Sequence, residues 1–521
     1  MTLWYDFGMD QAICIYLAWV WKVFGSAPYL GTWDQSFPGI FLLHRIALEL
    51  FGPSILGFRV FDFLVQLSCL GMFFYLTKRL APAQRARSNP QTGVSASLAG
   101  FISGVFYSIY YYGLGSWGAG EREGFVLWLL LLSLSASLIL ENRPWWRAGL
   151  VGLFLGFIFL IRPTFGLSWP VFGIWFLVQG LRKKDLRVWS GLMIFGFCCL
   201  LPSLLVVLYY WRLGGLRELY LATLWFNFNV YSKATHIVIS GGRDWVLVLA
   251  ADLFIFGQAL PLALLTGIFG ILLKLRDRSE AGNQDLVWVL IGLIGAGLIS
   301  YQFQAKYFDY HQIPIWGLMM IFSGYGLARL GSQFVGAGDK NWTRIYSFIF
   351  YFICLGLMLS TLNQDRVIFA AKFSFRAFQR AYESELNPAF EERMIAKRLR
   401  PMLLPEDGIE YFAKDPLIPL LLEKQLPTRF VSVIHLLLRP RGGEITAWQK
   451  KWIEEYSNGV ISARPRFFLI EIPALNPELF NLPSDSLKQS LQEQFPELAS
   501  FLADNYRLMM RIGRIEVYEL L

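Results

Sequence analysis

The sequence predicts a polytopic α-helical membrane protein closed by a small α/β domain, and three observations carry that reading. Only 16% of the 521 residues are charged and 55% are hydrophobic, against about 25% charged in water-soluble domains. The apolar residues gather into runs of roughly 17–25, the length that crosses a ~30 Å hydrocarbon core. After residue 363 charges become frequent and short apolar runs alternate with turn residues, as in a water-exposed domain. The net charge of +9 sits mostly in short loops between apolar runs, where it sets orientation, so it is no nucleic-acid signature. Cys14, Cys69, Cys198, Cys199 and Cys354 stand in apolar context without metal-ligand spacing. They read as small buried hydrophobes rather than a disulfide framework.

The elements follow in order. Met1-Thr2-Leu3-Trp4-Tyr5-Asp6 lacks the basic and apolar regions of a cleavable signal peptide. Residues 11–24 are apolar but too short to span, and read as an interfacial amphipathic helix. Trp4, Tyr5, Trp19, Trp21, Tyr29 and Trp33 hold this leading segment at headgroup depth. About ten spans are expected, at 54–77, 95–113, 124–140, 147–162, 164–180, 188–211, 252–275, 285–301, 313–331 and 343–362. The pair 147–162 and 164–180 is joined only by Arg162-Pro163, as a tight hairpin or a broken segment.

Alternate loops differ in charge. Lys78, Arg79, Arg85 and Arg87, then Arg143 and Arg147, then Arg182, Lys183, Lys184 and Arg187, then Lys274, Arg276 and Arg278, then Arg329, Lys340 and Arg344 fall on one side. The positive-inside rule makes that side cytoplasmic. Residues 1–53, 114–123, 212–250, 302–312 and everything after 363 then share the outer face. The polar loop at 80–94 reads as a cytoplasmic link. In the tail, 408–412, 428–433, 466–472 and 515–518 read as strands, and 446–457 and 486–504 as helices. The expected organisation is an outer loop with interfacial helices (1–53), a transmembrane domain (54–362) and an extracytoplasmic α/β domain (363–521).

Two acids precede the first membrane-length run, Asp10 and Asp34. A carboxylate held at the interface works as a general base toward a hydroxyl or amine; the bland alternative is a solvated loop acid or, for Asp10, a helix cap. Around them run Asp10-Gln11-x4-Tyr16-x-Ala18, then Gly25-x2-Pro28-Tyr29-x4-Asp34-x3-Pro38-Gly39, then Leu50-Phe51-Gly52-x4-Gly57-x-Arg59. This composite resembles the first outer loop of GT-C glycosyltransferases, of the bacterial family 39-like kind related to protein O-mannosyltransferases and aminoarabinose transferases. It extends over about 55 residues and continues in the number of spans and the outer C-terminal domain. By that resemblance Asp10 matches the acid at the reaction centre and Asp34 the second acidic position. Three departures stand out. Gln11 replaces the usual Glu, Ser36-Phe37 replaces the Lys before the Pro, and the family's span ahead of this loop is not in the sequence, which starts within the loop.

A second cluster, Lys306-Tyr307-Phe308-Asp309-Tyr310-His311-Gln312-Ile313-Pro314, resembles the family's basic Tyr-His segment before a Pro-initiated helix. Cations there suit a polyprenyl-phosphate sugar, because charge builds on the leaving phosphate as the glycosidic bond breaks. Lys306 and His311 are the candidates, against a headgroup Lys and an interfacial His. Arg162, in Arg162-Pro163-Thr164, resembles the family's Arg/Lys-Pro turn after a span, and is a candidate to bind phosphate or else to snorkel. Glu121, in Glu121-Arg122-Glu123, is the candidate for acceptor positioning or a divalent metal with Asp34, against a solvated charge run. Arg59 and Asp62 share one helix face and read as a structural pair. The loop 212–244, with Arg212, Arg217, Lys233, His236 and Arg243, is a candidate lid, and His435 reads as a packed or capping histidine.

The resemblance implies an inverting glycosyltransferase of the bacterial inner (plasma) membrane with its C-terminal domain outside the cytoplasm. Its donor would be a polyprenyl-phosphate-linked sugar and its acceptor a protein, glycolipid or polysaccharide beyond the cytoplasm, with membrane lipid and no nucleic acid as partners. The leading acids and the Tyr-His segment would share one outer cavity. The rival reading is a lipid or solute transporter or flippase, which Arg59, Asp62 and Asp252 in the spans would suit; a non-enzymatic assembly or receptor protein is the third.

Overall fold

The computed structural model of the chain describes residues 2–80, 96–184, 186–235, 260–276, 281–335, 352, 354, 356, 389–473 and 480–521. Two helices, α1 (Met9–Phe24) and α2 (Pro38–Phe51), precede the long helix α3 (Ile55–Leu80). Then come α4 (Ala96–Gly113), α5 (Arg122–Ile139), α6 (Pro144–Ile161), α7 (Ser168–Lys183) and α8 (Arg187–Arg212). A short α9 (Leu216–Tyr220) runs into a π-helix over Leu221–Tyr231, and α10 (Pro261–Arg276), α11 (Ala281–Gln304) and α12 (Ile313–Val335) follow. The tail holds α13 (Phe390–Leu399), β1 (Ile409–Phe412), α14 (Leu417–Leu422), α15 (Ile434–Leu437), α16 (Ala447–Ala463), β2 (Phe467–Glu471), α17 (Leu487–Gln494), α18 (Pro496–Asn505), β3 (Tyr506–Ile512) and β4 (Ile515–Leu520).

The chain divides into two compact units. Unit one is Met1–Leu3, Asp62–Leu204 and Ile239–Phe378; unit two is Trp4–Phe61, Leu205–Val238 and Gln379–Leu521. Among the described residues, seven helices are long and apolar enough to cross a membrane, and the chain is an integral membrane protein. Of the about ten foreseen spans, α4 and α10 occupy their expected places but are not among the seven. Apart from 352, 354 and 356, the run at 343–362 lies outside the described residues, as do the first residues of 252–275.

Unit one is built on close helix contacts. A Cβ at Gly152 or Gly156 of α6 would run into the backbone of Phe195 and Cys199 on α8, and one at Gly326 of α12 into the backbone of Thr266 on α10. Gly324 likewise faces the Ala99 carbonyl of α4. Small residues at such crossings let apolar helices approach closely where lipid offers no hydrophobic drive. The expected junction at Arg162-Pro163 is two separate helices. α6 ends at Ile161, Arg162 is extended, and a 3-10 turn over Pro163–Leu167 leads into α7. Proline disfavours the α conformation in the residue before it, which fixes the stop at Arg162. The indole of Trp169 then donates back to the Leu155 carbonyl at 3.1 Å.

In unit two, α1 is buried on every face from Gln11 to Val20, so its apolar middle is covered by protein rather than turning one face outward. The four-stranded sheet has order β1-β2-β4-β3, parallel between β1 and β2 and antiparallel elsewhere. Alternation splits its residues. Ile409, Tyr411, Phe467, Leu469, Ile515 and Val517 pack with Ile395, Leu399, Ile418 and Leu422 of α13 and α14. Phe412, on the opposite face, meets Tyr456 of α16 and Phe495, with ring centroids 6.0 and 5.3 Å away.

Three tail expectations are corrected. Residues 428–433 are no strand; Phe430 forms a lone parallel bridge with Trp33, whose N–H donates to the Arg429 carbonyl at 2.6 Å. The 486–504 helix is two helices, because Pro496 drives Phe495 out of helical geometry (φ −128°, ψ 56°). Tyr506–Ile512 is a strand the pattern did not announce, since only half of it is covered and its polar and apolar residues do not alternate cleanly.

Candidate functional site

In unit one, Arg162 is the centre of a buried polar network. Its Nε lies 3.0 Å from Glu123 Oε1, and its Nη2 lies 2.8 Å from His311 Nε2 and donates also to Gln304 Oε1. The Glu123 side chain is fully buried and that of Arg162 is 12% exposed. The Nε–Oε1 contact is a close charge pair without hydrogen-bond alignment, and Glu123 Oε2 has no hydrogen-bond partner. Behind them Gln304 donates to Ser300 (3.3 Å) and Thr164 (3.4 Å), and Ser300 donates to Thr164 at 2.7 Å. Each group is placed by a helix end: Glu123 by the first turn of α5, Gln304 by the last of α11, His311 by a 3-10 turn (Asp309–Gln312) ahead of α12.

This geometry fixes a tautomer. A guanidinium only donates and stays protonated, so His311 must accept at Nε2 and carry its proton on Nδ1. Lys306 and Arg122 act electrostatically on the same ring. Lys306 stands between Ala305 (φ 46°) and Tyr307 (φ 54°), two side-chain-bearing residues in the left-handed region. Such conformations cost about 1–3 kcal/mol each and gather at functional sites. Of the phosphate candidates named from the sequence, Arg162, Lys306 and His311, the structure brings Arg162 and His311 into contact. Glu123 and Thr164 stood inside the motifs Glu121-Arg122-Glu123 and Arg162-Pro163-Thr164 without a role of their own, while Gln304 and Ser300 carried no local signal. Glu121 is 3% exposed and forms the N-cap residue of α5.

Unit two holds the leading acids. Asp10 lies in the first turn of α1, with Gly8 as the N-cap; an acid there complements the helix dipole. The expected cap role falls to Gly8 because the helix begins at Met9, two residues sooner than the apolar run suggested. Gln11 receives Arg59 Nη2 at 2.7 Å, and Arg59 donates also to the carbonyls of Tyr5 (3.0 Å) and Asp6. Arg59 thus clamps the entry to α1. Asp62, three residues on, accepts from Tyr111 (2.7 Å) and Gln66 (3.0 Å) within unit one.

Asp34 Oδ1 accepts the Ser36 N–H at 2.7 Å and its Oδ2 lies 3.7 Å from His435 Nε2. Burial pushes the His435 imidazole below its usual range, while Asp34 and then Asp10 pull it back. The candidate lid is helical through Thr235, and Asn227 within it donates to the Gln35 carbonyl at 2.9 Å; His236, Arg243 and Asp252 lie outside the described residues. Among the described residues no group of three His, Cys, Asp or Glu side chains is placed to hold a metal ion.

No protein-family model and no curated protein matches the chain. Among solved structures it is similar to ArnT from Cupriavidus metallidurans bound to undecaprenyl phosphate. The TM-score is 0.58 at 13% identity, over 99% of this chain and 95% of that one. The same protein in the apo state gives 0.56 at 14% identity, over the same shares. The chain shares the fold of these structures.

Proposed function

We propose that this chain is a glycosyltransferase that moves a sugar from a polyprenyl-phosphate-linked donor to an acceptor on the extracytoplasmic face, with inversion. The observation that carries the reading is the buried Arg162–His311–Glu123 arrangement, found in a chain whose fold matches that of a protein crystallised with undecaprenyl phosphate. In this reading Arg162 and Lys306 supply positive charge to the donor phosphate, where negative charge grows as the bond to the anomeric carbon breaks. His311 serves that phosphate by fixing the guanidinium that meets it, and Glu123 holds the same guanidinium from the other side.

Asp10 takes the acceptor's proton as the acceptor attacks the anomeric carbon from the face opposite the phosphate. Lipid phosphate leaves readily near neutral pH, so a second carboxyl acting as general acid, as glycosidases require, has no part here. Asp34 and Glu121 position the acceptor. The bilayer confines the donor's lipid tail, so much of the entropy of bringing donor and enzyme together is lost before reaction. The outer-face placement rests on the positive-inside alternation of the loops. The test is transfer from radiolabelled polyprenyl-phosphate sugars by purified protein, wild type against Asp10→Asn. Turnover that requires Asp10 supports the reading; a wild-type protein inert with every such donor sinks it.

A further inference from the structure

The leading segment and the tail of unit two meet at Asp34 and His435, where the Asp34 carboxylate and the backbone around His435 are each held by hydrogen bonds. Asp34 is 2% exposed, and Ser36 N–H on Oδ1 leaves Oδ2 turned toward His435 Nε2. His435 is also 2% exposed. Its helix, α15, is clamped by Gln449, whose amide donates to the carbonyls of His435, Leu436 and Leu438 at 3.1, 3.3 and 2.8 Å. The ring sits edge-on to Trp33 and Phe226, with centroids 5.4 and 5.8 Å away.

Polar atoms on the two bridged segments are nevertheless left open. His435 Nδ1, Thr32 Oγ1, Trp33 Nε1, Gln35 Oε1 and Ser432 Oγ are all buried without a hydrogen-bond partner. Protein interiors leave few such groups unfilled. The neutral imidazole has one N–H to place. On Nδ1 it would be buried and unfilled, and the Nε2 lone pair would oppose the carboxylate; on Nε2 it points at Asp34.

We infer that His435, contributed by the C-terminal domain, is a positioning residue that holds Asp34 for the acceptor, with the open groups of Thr32, Trp33 and Gln35 beside it meeting acceptor hydroxyls. This rests on the transferase reading above. No proton leaves the ring during transfer; its role is to orient the carboxylate and offset the cost of burying it. The ring therefore belongs to acceptor binding and alignment, not to the donor.

The test compares substitutions by shape and by donor position. His435→Phe keeps the aromatic slot and removes the N–H; His435→Gln puts an amide N–H near the place of Nε2; His435→Asn puts it near Nδ1. With the full-length protein in detergent or nanodiscs, His435→Phe is expected to lower kcat about 10- to 100-fold and to raise the acceptor KM, leaving the donor KM as in wild type. His435→Gln should recover most of that loss and His435→Asn should not. Should His435→Phe fail to fold, the Gln and Asn pair makes the same comparison. Wild-type kinetics in His435→Phe, or equal losses in Gln and Asn, overturn the inference while the transferase reading stands. A wild type inert with every polyprenyl-phosphate sugar overturns both.

Discussion

Replacing Arg162 by methionine should cost more than removing its partner. The Glu123 side chain is fully buried and loses its cation, while Met fills much of the vacated length. Stranding one member of a buried ion pair costs about 3–5 kcal/mol. Glu123→Gln is milder, since Arg162 keeps His311 and Gln304 as acceptors. The double variant Arg162→Met/Glu123→Gln carries no stranded charge and should be more stable than Arg162→Met alone. The pair should show a coupling energy within the ~0.5–3 kcal/mol seen for contacting residues. Unfolding of the four proteins in mixed micelles, followed by tryptophan fluorescence, gives the cycle, and transfer from a polyprenyl-phosphate sugar should fall in both Arg162 variants. A double variant no more stable than Arg162→Met would refute the reasoning, because Glu123 would then not depend on Arg162 for its burial.

Asp10→Asn should reduce turnover by about 10²–10⁴-fold, the range for loss of a general base, with donor KM little changed in steady-state assays. Glu410 is pushed up to about 8 by burial, against the lowering effect of Tyr456 and the Tyr411 N–H. The folded C-terminal domain keeps this proton after the unfolded chain has lost it. Its contribution to stability is therefore full below the ordinary carboxylate range and is lost as pH rises through about 8; melting across that range should show the decline, and Glu410→Gln should flatten it. Gly156→Leu would press into Cys199 and Pro202 and should cost about 1–3 kcal/mol of overpacking, visible as a lower apparent Tm in detergent. Thr446→Ala removes the acceptor for Gln449 N and half of a capping box at α16, for about 1 kcal/mol on thermal unfolding.

What the sequence disclosed follows from where periodicity is strong. Apolar runs of membrane length located the helices, and Pro163 located the break after α6, because both signals are local. The strands of β1 and β2 were legible for the same reason, being short, mostly apolar runs buried on both faces. Residues 428–433 were misread because an aromatic, β-branched stretch looks alike whether it joins a sheet or bridges a single distant residue such as Trp33. Within the candidate sites, Arg162 and His311 were nameable one by one, yet 149 positions separate them. Their contact is set by helix packing, which leaves no mark on local sequence. His435 shows the limit most plainly: an isolated histidine in an apolar stretch acquires meaning only through Asp34, 3.7 Å away from the other end of the chain.

At the carboxyl ends of β1 and β2, Lys414 Nζ lies 2.5 Å from Glu471, 3.6 Å from Glu392 and 3.8 Å from Asp415. Arg514 reaches Glu392 at 2.7 Å and Glu391 and Glu471 at 3.2 Å. Each cation is shared among several acids and each shared acid answers to both cations, so no member can be exchanged without leaving others mismatched. Such a knot is expected to resist drift one position at a time and to change, when it does, by replacement of several members in the same lineage. Homologous tails should then carry either the whole set or an apolar substitute for it, with mixed states scarce.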